Sequence, residues 1–138
     1  FIKEDYIKAL REKLLSYEMS TLACPFKDLD EASNKSKVKV EIEEGGETIA
    51  NDFYREIKSN KKINENVFHH IGVYGYQKDF LKKFISLSPT KREQEEKLEQ
   101  LRVIDETKIS VVHIEKEILG VDTKEDLDTV NQQIQNHV

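Results

Sequence analysis

The chain has 138 residues, the length of one domain with a single core, and 37% of them are apolar while 36% are charged. Its 22 Lys and Arg against 27 Asp and Glu leave a net charge of -5, which repels polyanions and argues against nonspecific nucleic-acid binding; an anionic ligand would need a local cation or metal. One cysteine, Cys24, allows no internal disulfide, no C-x-x-C pair offers a zinc site, and no apolar run approaches the roughly 20 residues of a membrane span, so a reduced, cytoplasmic setting without a membrane partner is expected.

From Asp5, the apolar residues Tyr6, Ile7, Leu10, Leu14 and Leu15 recur at three and four, the spacing of one helix face, and predict a helix to about Ser16. Ser20 to Pro25 is short, apolar and bounded by turn formers, as a buried strand would be. Asp28 to Lys35 is polar and reads as one helical turn plus a connection. Val38, Val40 and Ile42 alternate with Lys39, Glu41 and Glu43, predicting a strand with one wet face, and Gly45-Gly46 supplies a turn. Ile49 to Tyr54 returns as the partner strand of a hairpin. Lys58 to Asn66 lacks apolar periodicity and reads as an exposed, mobile loop.

Val67 to Tyr76 is rich in β-branched and aromatic residues and predicts a strand, with Gly72 and Gly75 marking close backbone approach. Lys78 to Phe84 predicts a short helix with Phe80, Leu81 and Phe84 inward. Ser88-Pro89 starts another with proline at its first position; its polar turns, Thr90 to Lys97, give way to Leu98 and Leu101. Lys108 to Glu115 is the last strand. Gly120 breaks the chain, and Thr123 with Asp126 forms a capping box for a final helix through Leu127, Val130 and Ile134. Helices and strands without strict βαβ alternation predict an α/β sandwich with a mixed sheet and an antiparallel extension.

Three segments share an order worth following: His70-Ile71-Gly72-Val73-Tyr74-Gly75-Tyr76, then Leu98-Glu99-Gln100-Leu101-Arg102, then Gly120-Val121-Asp122-Thr123. Together they resemble the sugar-binding half of the 3-deoxy-manno-octulosonate (Kdo) cytidylyltransferases, over Phe1 to about Ile134. The resemblance implies a three-layer, Rossmann-like nucleotidyltransferase fold, with residues 1–138 its C-terminal, sugar-binding and dimerisation portion. The family's opening strand, Gly- and Arg-rich phosphate loop and lysine, which hold CTP, have no counterpart here. Phe1 is not an initiator methionine, and the expectation is an incomplete fold, inactive alone.

His70 and Tyr74, four apart on a strand, face the same side, and the family uses these positions for sugar hydroxyls; read alone they are a satisfied histidine and a core tyrosine. Glu99 and Gln100 lie between two leucines that a helix would bury, so at least one can face a cleft, and the resemblance gives the pair hydrogen bonds to Kdo. Phe53-Tyr54-Arg55 resembles a Phe-Ser-Arg segment whose arginine faces the sugar carboxylate, a bidentate match that lysine lacks; a surface arginine on a hairpin is the alternative. Asp122 precedes a helix cap at a chain edge, and the resemblance makes it a Mg2+ ligand partnered by an upstream aspartate; capping the helix is its plainer use. His69 and Gln77 stand where the family often has arginine. Cys24 and His113 read as core residues, and Lys58 to Lys62 as a solvated run.

The implied activity is transfer of CMP from CTP to Kdo for lipopolysaccharide synthesis, with magnesium neutralising phosphate charge and no protein nucleophile. CTP and Kdo are the implied small-molecule partners, and a homodimer the implied assembly. A cytidylyltransferase for a related sugar acid and a noncatalytic binding or dimerisation module are the competing readings.

Overall fold

A computed structural model describes residues 2–43 and 47–117, together with 128, 131 and 132. The Gly45-Gly46 turn, Asp122, the Thr123 and Asp126 box and the final helix's Leu127, Val130 and Ile134 lie outside the described residues. Asp128, Asn131 and Gln132 are helical and exposed.

The elements run α1 (Glu4–Lys13), β1 (Met19–Cys24), α2 (Leu29–Ala32), β2 (Lys39–Ile42), β3 (Ala50–Tyr54), β4 (Val67–Tyr76), α3 (Lys78–Ser86), α4 (Lys91–Glu96), a 3₁₀ turn (Glu99–Arg102) and β5 (Ile109–His113). The five strands form one sheet in the order β3-β2-β4-β1-β5. Among the described strands, β1 and β5 run parallel, while β1 with β4, β4 with β2 and β2 with β3 are antiparallel. The predicted mixed sheet is therefore observed.

Every residue of β1 is buried, because small and apolar side chains on both its faces are covered. On one face Met19, Ala23, Val40, Phe53, Ile109 and Val111 meet Phe80 and Phe84 of α3 and Leu98 and Leu101 around the 3₁₀ turn. Burial of each phenylalanine contributes roughly 1.5–3 kcal/mol. On the other face Leu22, Cys24 and Ile71 meet Leu10 of α1, whose acidic first turn and basic last turn suit the helix dipole. Phe26, Ala32, Tyr54 and Val67 close a smaller cluster by α2. Sheet and two helical coverings make three layers.

Several expectations change. The β2 alternation predicted a wet face, yet all four residues are buried. Lys39 is 0% exposed, and its ammonium donates to the carbonyls of Asn34 (2.8 Å), Lys37 (2.7 Å) and Arg55 (2.5 Å), which uses all three of its donors. Glu41 is buried beside Lys61 and the Tyr54 hydroxyl. Pro89 precedes α4 rather than opening it: Thr90 is the cap, in a reciprocal box with Glu93. The helix then stops at Lys97, whose φ of 57° is left-handed, so Leu98 to Leu101 follow in a 3₁₀ turn. Leu81 is 39% exposed, one position off the stripe that buries Phe80 and Phe84. The loop before β4 is exposed over 58–60, but Asn64 pairs with both backbone groups of Phe26 and Ile63 packs beside Val67. A Cβ at Gly75 would press on Ser20 Oγ at 2.5 Å, as close approach requires, whereas one at Gly72 would meet nothing within 4 Å.

Candidate functional site

An irregularity in the β1–β4 ladder builds the site. Leu22 pairs with Ile71 but Thr21 with Tyr74, so one step of β1 spans three of β4 and Gly72 and Val73 bulge out. The bulge inserts two residues, which preserves the alternation: His70 and Tyr74 share a face, with ring centroids 5.6 Å apart. The Thr21 hydroxyl occupies the bulge, 2.8 Å from the Val73 carbonyl oxygen, 3.3 Å from that of Ile71 and 2.9 Å from His70 Nε2. Phe53 of β3 packs edge-on to His70 at 4.9 Å, and Tyr76 lies 6.0 Å from Tyr74.

Burial, reinforced by neighbouring His69, pushes His70 down to about 3, so this imidazole is neutral at physiological pH. The Tyr74 phenol is pushed up by burial, then by Tyr76 and Glu99; that of Tyr76 is pushed up by burial and Glu99. The Glu99 carboxylate thus stands near both phenols. Gln100, in the same turn, is 4% exposed, and its Nε2 is the one buried side-chain nitrogen or oxygen lacking a hydrogen-bond partner among the described residues. Leaving such a donor unpaired costs about 1–3 kcal/mol. The turn packs on β3, whose Phe53 abuts His70, so His70, Tyr74, Glu99 and Gln100 belong to one region of the α3/α4 face.

Arg55 is half-buried, and its guanidinium already has backbone partners. Its Nε donates to the Glu96 carbonyl (2.8 Å), Nη1 to that of Lys35 (3.3 Å) and Nη2 to that of Lys97 (3.4 Å). The guanidinium braces the end of α4, with two N–H groups to spare. Arg102, the last residue of the 3₁₀ turn, donates to both carboxylate oxygens of Glu93, at 2.9 and 2.5 Å. Asp122 lies outside the described residues.

Sequence reasoning missed Thr21 and Tyr76. Both left a signal: Tyr76 repeats the face of Tyr74 two positions on, and Thr21 is a hydroxyl within an apolar, buried strand, where it must find a partner.

A second polar cluster lies on the α1 face. His69 Nδ1 is 3.7 Å from Cys24 Sγ, 3.6 Å from Glu117 Oε2 and 4.0 Å from Glu31 Oε1, beside a cavity of about 160 Å³. Burial first, then Glu117 and Glu31, push the Cys24 thiol up to about 11, so it is protonated and unreactive at neutral pH. Among the described residues, no group of His, Cys, Asp and Glu is placed to hold a metal, and no helix is long and apolar enough to cross a membrane.

The three-layer architecture is that of a nucleotidyltransferase. A solved CMP:2-keto-3-deoxy-manno-octonic acid synthetase complexed with CTP superposes with a TM-score of 0.87 over 99% of this chain and 58% of that one, at 24% identity. Residues 1–118 match the cytidylyltransferase family model, and the chain belongs to that family. Among curated relatives, the 3-deoxy-manno-octulosonate cytidylyltransferase of Photorhabdus laumondii is 36% identical over 142 residues, covering 95% of this chain and 57% of the relative. Those of Serratia proteamaculans (36% identical, 84% of this chain, 50% of the relative) and Leptospira interrogans serovar Lai (37%, 91% and 51%) are similar too. The chain spans about half the length of the curated relatives it matches.

Proposed function

We propose that this chain supplies the sugar-acid site of a CTP-dependent cytidylyltransferase that transfers CMP to Kdo and releases pyrophosphate, in lipopolysaccharide synthesis. The observation that carries this is the unpaired Gln100 Nε2, a buried donor in the same region as His70, Tyr74, Tyr76 and Glu99. A neutral imidazole, two phenols, an amide and one carboxylate make a set of donors and acceptors without net positive charge. That chemistry suits the hydroxyl face of a sugar rather than its carboxylate or a phosphate. In the reaction, the anomeric oxygen forms a bond to the α-phosphorus as the bond to pyrophosphate breaks, and the proton of the attacking hydroxyl passes to water; the role of these residues is to hold and orient the sugar.

Magnesium belongs to the same proposal, with Asp122 as its ligand. The support is the Gly-Val-Asp-Thr motif at 120–123. When bound, the ion would neutralise charge on the phosphates. A homodimer and a cytoplasmic setting complete the reading; light scattering and cell fractionation test them.

Calorimetric titration of the chain with Kdo tests the sugar site. Gln100→Ala is expected to weaken binding about three- to tenfold, the worth of one neutral hydrogen bond, and in the whole protein to raise the sugar KM while leaving the CTP KM unchanged. Equal affinity in both proteins would remove Gln100 from the site. In the whole protein Asp122→Asn should lose turnover at saturating magnesium; retained turnover would remove the metal assignment.

A further inference from the structure

We propose that Thr21 is a positioning residue that holds His70 as its Nε2–H tautomer, presenting Nδ1 as a hydrogen-bond acceptor to a hydroxyl of the ligand. A threonine hydroxyl has one hydrogen to give. Its oxygen lies 2.8 Å from the Val73 carbonyl oxygen, which can only accept, so the hydrogen must lie on that line; Ile71 O, at 3.3 Å, is a weaker second acceptor. With that hydrogen committed, Thr21 Oγ1 turns only lone pairs toward His70 Nε2, 2.9 Å away. The hydrogen in this contact therefore comes from the imidazole.

The opposite tautomer would set two lone pairs face to face at 2.9 Å, or take the donor away from Val73 and open the bulge. Both residues are held where they are. Thr21 is 0% exposed in the middle of β1, and His70 is wedged between Phe53 and Tyr74. A neutral imidazole with a proton on Nε2 has a lone pair on Nδ1. Nδ1, which is not among the solvent-inaccessible atoms left unpaired, makes no hydrogen bond to a described residue.

The consequence is a selectivity rule. A bare Nδ1 accepts from a hydroxyl and repels a carboxylate or phosphate oxygen, so His70 reads a donor on the ligand and leaves the acid group to be bound elsewhere. That this donor is a sugar hydroxyl rests on the function proposed above; the tautomer rests on geometry alone.

Nitrogen-15 NMR of the His70 ring in the full chain, without ligand, reads the tautomer directly from the two ring nitrogens' shifts and their couplings to the carbon-bound protons. The expected signature is a protonated Nε2 and a bare Nδ1 throughout about pH 5 to 8. Thr21→Val, which keeps the shape and removes the hydroxyl, should shift the population toward Nδ1–H, and Thr21→Ser should restore Nε2–H. Kdo affinity should fall about tenfold in Thr21→Val and recover in Thr21→Ser, the loss expected of one misdirected hydrogen bond. An Nδ1–H or charged ring in the unaltered chain overturns the proposal, and needs no variant to fold. So does a tautomer unchanged in Thr21→Val. An Nε2–H ring that responds to both variants in a chain that takes no Kdo upholds the positioning role and overturns the sugar reading alone.

Discussion

At Arg55 the guanidinium spans two carbonyls, Glu96 and Lys97, where α4 ends and the chain turns left-handed toward Glu99 and Gln100. Lysine keeps the charge but carries all its donors on one nitrogen, so it does not reproduce the separate Nε and Nη2 positions that reach these two oxygens. Arg55→Lys is therefore expected to cost about 1–2 kcal/mol in chemical denaturation and to speed amide exchange at Leu98 and Leu101, whose bonds to Glu93 and Leu98 close the turn. Sugar affinity should fall equally for the acid and for an analogue lacking the carboxylate. A loss confined to the acid, with exchange unchanged, would make Arg55 a carboxylate ligand instead. The hairpin position of this arginine was legible in the sequence; its partners were not, because Glu96 lies 41 positions away in the chain. Lys39 teaches the same lesson. Alternation marks which residues of β2 share a side, but not that both sides are covered, and only the carbonyls converging on its ammonium explain a buried cation there.

Among the elements, β4 was legible end to end, since six of its ten residues are β-branched or aromatic, while the break in α4 was not. A left-handed lysine has no local signature, and here Arg55 braces the carbonyl that follows it. The bulge in β4 was hidden too, because its two extra residues leave the pattern of faces unchanged. Its glycines nonetheless separate cleanly. A Cβ added at Gly75 would stand 2.5 Å from Ser20 Oγ and 3.2 Å from Leu14 Cδ1, and Ser20 cannot yield freely while it donates to the Leu10 carbonyl at 2.9 Å. Gly75→Ala should push α1 off the sheet and cost about 1–3 kcal/mol. Gly72→Ala has open space and should be neutral or stabilising by up to about 1 kcal/mol, through a less flexible unfolded chain. Urea midpoints of the two variants measure this. Equal losses would mean that the two positions do not differ in packing as described.

For the whole molecule, the titrating groups combine into one pH profile. Burial lowers His69, His70 and His113 below the ordinary 6.5, so the unfolded chain takes up protons there before the folded chain does. Stability should therefore fall as pH drops below about 6.5, with a slope of up to roughly 1.4 kcal/mol per pH unit for each histidine that stays neutral in the fold. Asp52 adds to the fall at lower pH: burial works against its charge, but Arg92 and Lys58 outweigh it and hold the carboxyl below its usual range. At the alkaline end the sign reverses. Cys24 is raised to about 11 from 9.0, and Tyr54 and Tyr74 are raised by burial, so the unfolded chain gives up protons first and stability declines above about pH 9. Between these limits urea unfolding should show a plateau, and Kdo binding through an uncharged His70 should be flat across it. A protein that grows more stable from pH 6.5 to 5 would require a histidine charged within the fold. Were it His70, the acceptor role of its Nδ1 would fall as well, since a charged ring donates from both nitrogens.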